Sequence, residues 1–182
     1  MKVSREQMAE NRRRILEAAG RLFRERGFEA VTVAEVMKAA GLTHGGFYGH
    51  FRSKDDLIAQ ALAQALTATE EAGPDLAGYA ARYLSERHCA DRAGGCPMAG
   101  LGAEAIRQAP EARAALTVGL QRQIAALAAG APGESEAERR RAAIGSWAAM
   151  VGALVLARMS DDPALSAELL AETRAWMGAG AH

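Results

Sequence analysis

The chain of 182 residues holds only two cysteines, Cys89 and Cys96, and their spacing of seven is not the C-x-x-C of a dithiol redox site. No apolar run approaches 18 residues, so no membrane partner is expected. The opening stretch MKVSREQMAENRRR is polar and carries no signal-peptide core, which leads to the expectation of a cytoplasmic protein. There is no strand alternation, internal repeat or low-complexity tract, and the fold expected is all-α. No Ser/His/Asp set, metal cluster or phosphate loop emerges, so neither an enzyme nor a cofactor is expected. Prolines number five, and each falls at a break, in a loop or at a helix start: Pro74, Pro97, Pro110, Pro132 and Pro163.

Net charge is also missing, since 22 Lys and Arg balance 22 Asp and Glu. Taken alone, that argues against a nucleic-acid protein. The average hides a split: residues 1–57 hold 11 Lys and Arg against 8 Asp and Glu, and the remainder holds 11 against 14. The first segment is therefore the basic one. A difference this small also fits an ordinary solvated surface, and phosphate contacts need local positive charge, so motifs must decide.

The stretch TVAEVMKAAGLTHGGFYGHFRSKDDL, residues 32–57, is the most informative. Thr32 and Glu35 form a T-x-x-E capping box that starts a helix near residue 33, with Val33, Val36 and Met37 on one face. Gly41 suits the left-handed conformation that ends it. Thr43 is then expected to cap a second short helix over residues 44–51, anchored by Phe47 and Phe51 four residues apart. This leaves His44, Gly45, Tyr48 and His50 for the outer side. Ser53 caps the next helix, and Lys54 in its first turn, beside free amides, suits a phosphate. Two helices across a tight turn with a third following form the layout of a helix-turn-helix DNA reader.

The residues GLTHGGFYGHFRSKDDL closely resemble the signature of the tetracycline-repressor (TetR) family of bacterial transcription regulators. The resemblance spans about residues 8–60, and beyond that it is architectural. It implies that Thr43, His44 and Gly45 approach base edges, while Thr32, Tyr48, His50 and Lys54 hold the phosphate backbone. Gly45 and Gly46 depart from a well-formed recognition helix. Each costs roughly 0.8–1 kcal/mol of helix propensity relative to alanine and removes a side chain that could read a base.

Before this stretch, Ser4 and Gln7 read as a capping box, and Met8, Ile15, Ala18, Ala19, Leu22 and Phe23 recur at helical spacing up to Gly27. Arg12, Arg13, Arg14, Arg21 and Arg24 read as a solvated outer face, with phosphate contact by Arg12 or Arg13 as the alternative. After it, Leu57, Ile58, Ala61, Leu62, Ala65 and Leu66 continue a linking helix, 54–73, to the Gly73-Pro74 break. The expected organisation is thus a DNA-binding domain over 1–56, containing a three-helix bundle with the helix-turn-helix. A larger helical domain for effector binding and dimerisation follows over 74–182.

In that second part, Asp75 caps a helix bearing Leu76, Tyr79, Ala80, Tyr83 and Leu84 on one stripe. Further helices are expected from Pro97 and Pro110, from a Ser135/Glu138 capping box, and from Asp162-Pro163. An apolar effector pocket between the helices starting near Asp75, Pro97, Pro110 and Ser135 would be lined by Tyr79, Tyr83, Met98, Leu101 and Trp147. Space there would come from Gly78, Gly100, Gly102, Gly119 and Gly145, although the same glycines also fit close helix packing. Gly100-Leu-Gly102-Ala-Glu-Ala105 matches a dinucleotide-binding pattern on paper, but no strand precedes it. GCPMAGLGAE resembles a segment found in a subset of TetR-family C-terminal domains.

Residues 89–97, CADRAGGCP, read as an irregular loop with Cys96 just before a helix start and His88 beside Cys89. Two readings stay open: small buried or capping cysteines, and a thiol or electrophile sensor at Cys89 and Cys96. A metal site is not expected, because His88, Cys89 and Cys96 offer only three ligands without the usual close spacing.

The resemblance implies that the last two helices pair with their copies as a four-helix bundle, with Trp147, Val151 and Trp176 in or near the interface. The functional expectation is a homodimeric repressor on a near-palindromic double-stranded DNA operator, released by a small-molecule or thiol-reactive effector. The alternatives are a helical protein-binding adaptor and, further off, an enzyme.

Overall fold

The computed structural model describes residues 4–67 and 75–178. Its helices are α1 (Arg5–Arg26), α2 (Val33–Ala39), a 3-10 helix (His44–Gly49), α3 (Lys54–Thr67), α4 (Leu76–Tyr83), α5 (Glu86–Ala90), α6 (Pro97–Ala105), α7 (Pro110–Ala128), α8 (Glu136–Met159) and α9 (Pro163–Gly178). The fold is all-α, with no strand among the described residues. The Gly73-Pro74 break, the last part of the expected 54–73 helix and the boundary at 74 lie outside the described residues.

Caps set most of the starts. Thr32 with Glu35 and Ser135 with Glu138 each form both halves of a capping box, opening α2 and α8. Asp75 accepts the Gly78 amide, Ser53 the Asp56 amide and Asp162 the Ala164 amide. Proline occupies the first turn of α6 and α7. At the start of α1 only half of the expected box forms: Ser4 accepts the Gln7 amide, while the Gln7 side chain turns forward to Asn11.

Two apolar clusters hold the helices. The first gathers Ile15, Phe23, Phe28, Val36, Met37, Phe47, Phe51, Leu57 and Leu62 around α1, α2, the 3-10 helix and α3, and also takes Leu101, Ala105 and Ala112 from α6 and α7. The second gathers Tyr79, Tyr83, Leu84, Leu127, Trp147, Met150, Leu154 and Leu170 from α4 and α7–α9. Helix α7 packs on both α3 and α8 and so joins the two. Gly119 on α7 permits that approach, because a Cβ there would stand 2.7 Å from Leu66 Cδ1 on α3.

Among the described residues one helix, α8, is long and apolar enough by length and composition to cross a membrane, contrary to the expectation that no such run exists. Its charges cluster near its ends, at Glu136 to Arg141 and at Arg158, which leaves the middle apolar. In the fold it packs against α6, α7 and α9, and Ala143, Trp147, Met150 and Leu154 form part of the second core.

Candidate nucleic-acid interface and effector cavity

The helix-turn-helix is built from α2, a turn at Gly41 and the 3-10 helix. Gly41 sits at φ 69°, a conformation that favours glycine, and the amides of Gly41 and Leu42 reach back to the carbonyls of Lys38 and Met37. The second helix differs from the expected α-helix over 44–51. It is a 3-10 helix ending at Gly49, and Thr43 makes no side-chain cap bond. Gly45 and Gly46 explain this: they contribute no packing side chains, and the tighter i to i+3 bonds Gly46 N to Thr43 O and His50 N to Phe47 O form instead.

Phe47 and Phe51 are buried and stacked with ring centroids 5.7 Å apart, so they fix the element to the core. Thr43, His44, Gly45 and Tyr48 are then left on the outside, with Tyr48 75% exposed and its ring edge against Phe47. Lys54 is half-buried in the first turn of α3, behind the Ser53 cap. His50 is half-buried, and burial followed by the nearby Arg12 charge holds its pKa below the ordinary 6.5. A neutral ring can donate to a phosphate but brings no charge.

Thr32 is more occupied than its expected role requires. Its hydroxyl accepts the Glu35 amide and donates to Glu35 Oε2 at 2.8 Å, and the same oxygen takes the Thr32 amide at 2.8 Å. Arg26 adds an ion pair to Glu35 at 2.9 Å. The Glu35 pKa is lowered to about 2, chiefly by the Thr32 amide bond, then by the Thr32 hydroxyl and Arg26. Arg12 lies over the Phe51 ring and bonds Gln60, while Arg13 pairs with Glu10 and Glu17, so both have intramolecular partners. Arg52, between the 3-10 helix and α3, is highly exposed with Asp56 3.7 Å away, and a lone arginine beside a serine cap carries no pattern in the sequence that marks it.

Residues 15–61 match the family model described as bacterial regulatory proteins, tetR family. That segment, about a quarter of the chain, is a TetR-family helix-turn-helix domain. Over 57 residues, 31% of the chain, it is 39% identical to the HTH-type transcriptional regulator AcrR of Shigella flexneri. Over 57 residues it is 43% identical to an HTH-type transcriptional repressor of Mycobacterium tuberculosis. The matched stretch spans only 26% and 30% of those relatives' lengths. The reduced form of Escherichia coli NemR has the same fold: TM-score 0.75, 23% identity, 91% of this chain and 93% of that one covered.

The chain has a cavity of about 680 Å³ between its N-terminal helices and α4–α6. Arg24 of α1 and Ala65 of α3 contribute from one side; Tyr79, Arg82 and Tyr83 of α4, His88 of α5 and the loop to Pro97 contribute from the other. Of the five residues expected to line an apolar pocket, Tyr79 and Tyr83 do so. Leu101 faces the other way, into the core of α1–α3, because α6 is apolar on both faces. Met98 packs against the second core, and Trp147 lies behind Tyr83, its ring edge-on at 5.2 Å. None of the five glycines expected to open space is a lining residue: Gly78 follows the Asp75 cap, Gly100 faces Arg24, Gly119 admits Leu66, and Gly102 and Gly145 have no neighbour. The cavity is also more polar than expected, with Arg24, Arg82, Arg87, His88 and Asp91 around it.

Its aromatic wall is ordered. Tyr79 and Tyr83 stack at 6.0 Å, and Gln123 donates to the Tyr79 hydroxyl at 3.0 Å. The Tyr83 hydroxyl is buried without a hydrogen-bond partner, and burial, then the adjacent Cys96, pushes its pKa far up. Cys96 is the buried N-cap residue of α6, whereas Cys89 is half-buried inside α5 and not in a loop, since the Ser85 cap starts a helix that runs to Ala90. His88 bridges the two segments: Nδ1–H donates to the Tyr83 carbonyl at 2.6 Å, and Nε2 accepts the Cys96 amide at 3.1 Å. Arg158 of α8 donates to the carbonyls of His88, Cys89 and Asp91. Gly95 is needed in this loop, because a Cβ there would fall 2.5 Å from the Asp91 carbonyl oxygen.

On α8 and α9 an apolar face stands uncovered: Ile144, Leu156, Met159, Leu165 and Trp176 are exposed, and Gly145 and Gly152 have open space beside them. Trp176 is on this face and Val151 is half-buried. Trp147, expected near the dimer interface, is 5% exposed and belongs to the protomer's own core. The middle of α8 is apolar all round, so periodicity could not choose its inner face.

Proposed function

We propose that this chain is a TetR-family DNA-binding transcriptional repressor that works as a homodimer and is released by a small molecule. The observation that carries the reading is the exposure of Thr43, His44, Gly45 and Tyr48 on an element pinned by Phe47 and Phe51. Thr43, His44 and Gly45 would meet base edges, and Tyr48, His50 and Lys54 would meet phosphates; Thr32 would do so through a hydroxyl it now gives to Glu35. The exposed apolar face of α8 and α9 supports pairing of two copies, which would present two readers to a near-palindromic operator. The cavity touches both α1 and α4, which supports its use as the effector site. Cys96 in its lining, with Cys89 half-buried in α5, keeps a thiol-reactive effector as the second form of release.

A gel-shift titration against the DNA flanking the chain's own gene tests the proposal. Specific retardation at low protein concentration, competed by the same DNA and not by unrelated DNA, is the expected result. Equal competition by unrelated DNA would contradict specific recognition, and no retardation at all would contradict the proposal and favour a protein-binding adaptor.

A further inference from the structure

We infer that the ligand of the cavity is an organic anion, a carboxylate on an apolar body, and that Arg24 is the residue through which its charge acts on the DNA-reading half. The second part rests on the regulator reading; the first stands on the cavity alone.

Charge is the first argument. Among the described lining residues are three guanidinium groups, Arg24, Arg82 and Arg87, and a single carboxylate, Asp91. Asp91 already accepts the Gly94 amide at 2.8 Å, which ties it to its own loop. His88 uses both ring nitrogens on backbone groups. Arg82 has a partner of its own, so Arg24 and Arg87 carry the argument: two fixed positive charges beside low-dielectric aromatic walls favour a negative ligand, and guanidinium matches carboxylate geometry in particular. The Tyr79 and Tyr83 rings, Ala65 and Pro97 supply an apolar surface for the rest of such a molecule, and the volume lies in the range of small-molecule sites.

Arg24 is distinguished from the other two by position. It lies in the last turn of α1, a helix that packs against α2, α3 and α6, and its Nε donates to the Ala93 carbonyl at 2.7 Å. Burial, then Arg21, pushes its pKa down against the opposing pull of Asp91, the effect of taking a cation partly out of water. Its terminal nitrogens make no hydrogen bond among the described residues. A carboxylate in the cavity would pair with them and compete with the Ala93 carbonyl, and so change the tie between α1 and the loop. Such a ligand binds the two arrangements unequally, which is what a switch requires.

Isothermal titration calorimetry on the full chain with matched pairs tests this: octanoate against octanamide, and benzoate against benzamide. At least one carboxylate should bind about tenfold tighter than its amide, the factor expected of one charge-assisted hydrogen bond. Arg24→Gln should abolish that preference, and Arg24→Lys should keep most of it; melting curves establish that both variants fold. Amides binding as tightly as carboxylates, or no carboxylate binding, would overturn the ligand class. A preference that survives Arg24→Gln would overturn the assignment of Arg24. Gel shifts run in parallel separate the two readings: carboxylate binding by a protein that ignores operator DNA leaves the ligand class standing and removes the regulator, whereas DNA binding without carboxylate binding does the reverse.

Discussion

The Glu104 carboxylate on α6 accepts the amide proton of Phe28, just beyond the end of α1, at 2.8 Å. Gly27 at φ 83° makes this possible, because a Cβ there would stand 2.7 Å from Glu104 Oε1. With the Arg24–Ala93 bond, this contact joins the cavity side of the molecule to the helix that supports the reader.

Glu104→Ala leaves the Phe28 amide without its acceptor, at a cost of about 1–3 kcal/mol. For a chain of this size the melting temperature should fall by about 2–4 °C per kcal/mol. Glu104→Gln retains an acceptor and should lose less. Equal melting temperatures for the alanine variant and the parent would show that the bond contributes nothing.

Tyr48→Phe and Lys54→Ala should weaken binding to operator and non-operator DNA about equally, because the contacts proposed for both residues are to phosphates. The log–log salt slope should drop by about 1 for Lys54→Ala. Tyr48 is exposed, so stability should stay within about 0.5 kcal/mol in that variant. An unchanged salt slope for Lys54→Ala would remove it from the interface.

Much of the reader was legible because its signals are local. Caps such as Thr32 with Glu35 act over three residues, and the Phe47/Phe51 pair needs only one helical turn. The 3-10 form of residues 44–49 was not legible, since two adjacent glycines leave the choice of hydrogen-bond pattern to the surrounding packing. The inner faces of α6 and α8 were hidden for a different reason: both helices are apolar on more than one side, so Leu101 and Trp147 could be assigned only by their neighbours. Arg24 looked like one more solvated arginine, and its partner lies 69 residues away.

Gly45→Ala tests the account of the 3-10 helix. Nothing lies within 4 Å of an added Cβ, and the glycine is not left-handed. Alanine should therefore raise stability by about 0.4–1 kcal/mol, chiefly by restricting the unfolded chain. A loss of stability in urea unfolding would mean that the residue has a strain or contact not accounted for.

His88 should make the protein acid-sensitive. Only the neutral ring can both donate to the Tyr83 carbonyl and accept the Cys96 amide, and burial, then the Arg158 charge, holds the folded pKa below 6.5, outweighing the opposing effects of the Tyr83 carbonyl and Asp91. As pH falls through 6.5 the unfolded ring takes up its proton first, so stability is full above that value and declines below it until the folded ring also protonates. His50 contributes with the same sign, so the comparison to make is His88→Gln against the parent. The variant should show a shallower decline in unfolding midpoint below pH 6.5; identical declines would exclude His88.

Ile144→Asp combined with Met159→Asp should yield a monomer in sedimentation, because both side chains are on the uncovered face of α8 and α9. Trp147→Phe should remain a dimer and lose stability, since that ring packs within the protomer. A dimer that survives both aspartates would place the interface elsewhere.

The central claim is that two copies of this chain read a two-fold symmetric DNA site through their 3-10 helices. Footprinting of the bound flanking DNA, at stated salt and with stoichiometry measured in the same sample, tests it most directly. The account predicts protection of a near-palindrome with half-sites about 34–36 Å apart, or a longer spacing that bending permits, and two chains on each site. Protection of a single asymmetric segment by one chain would contradict it.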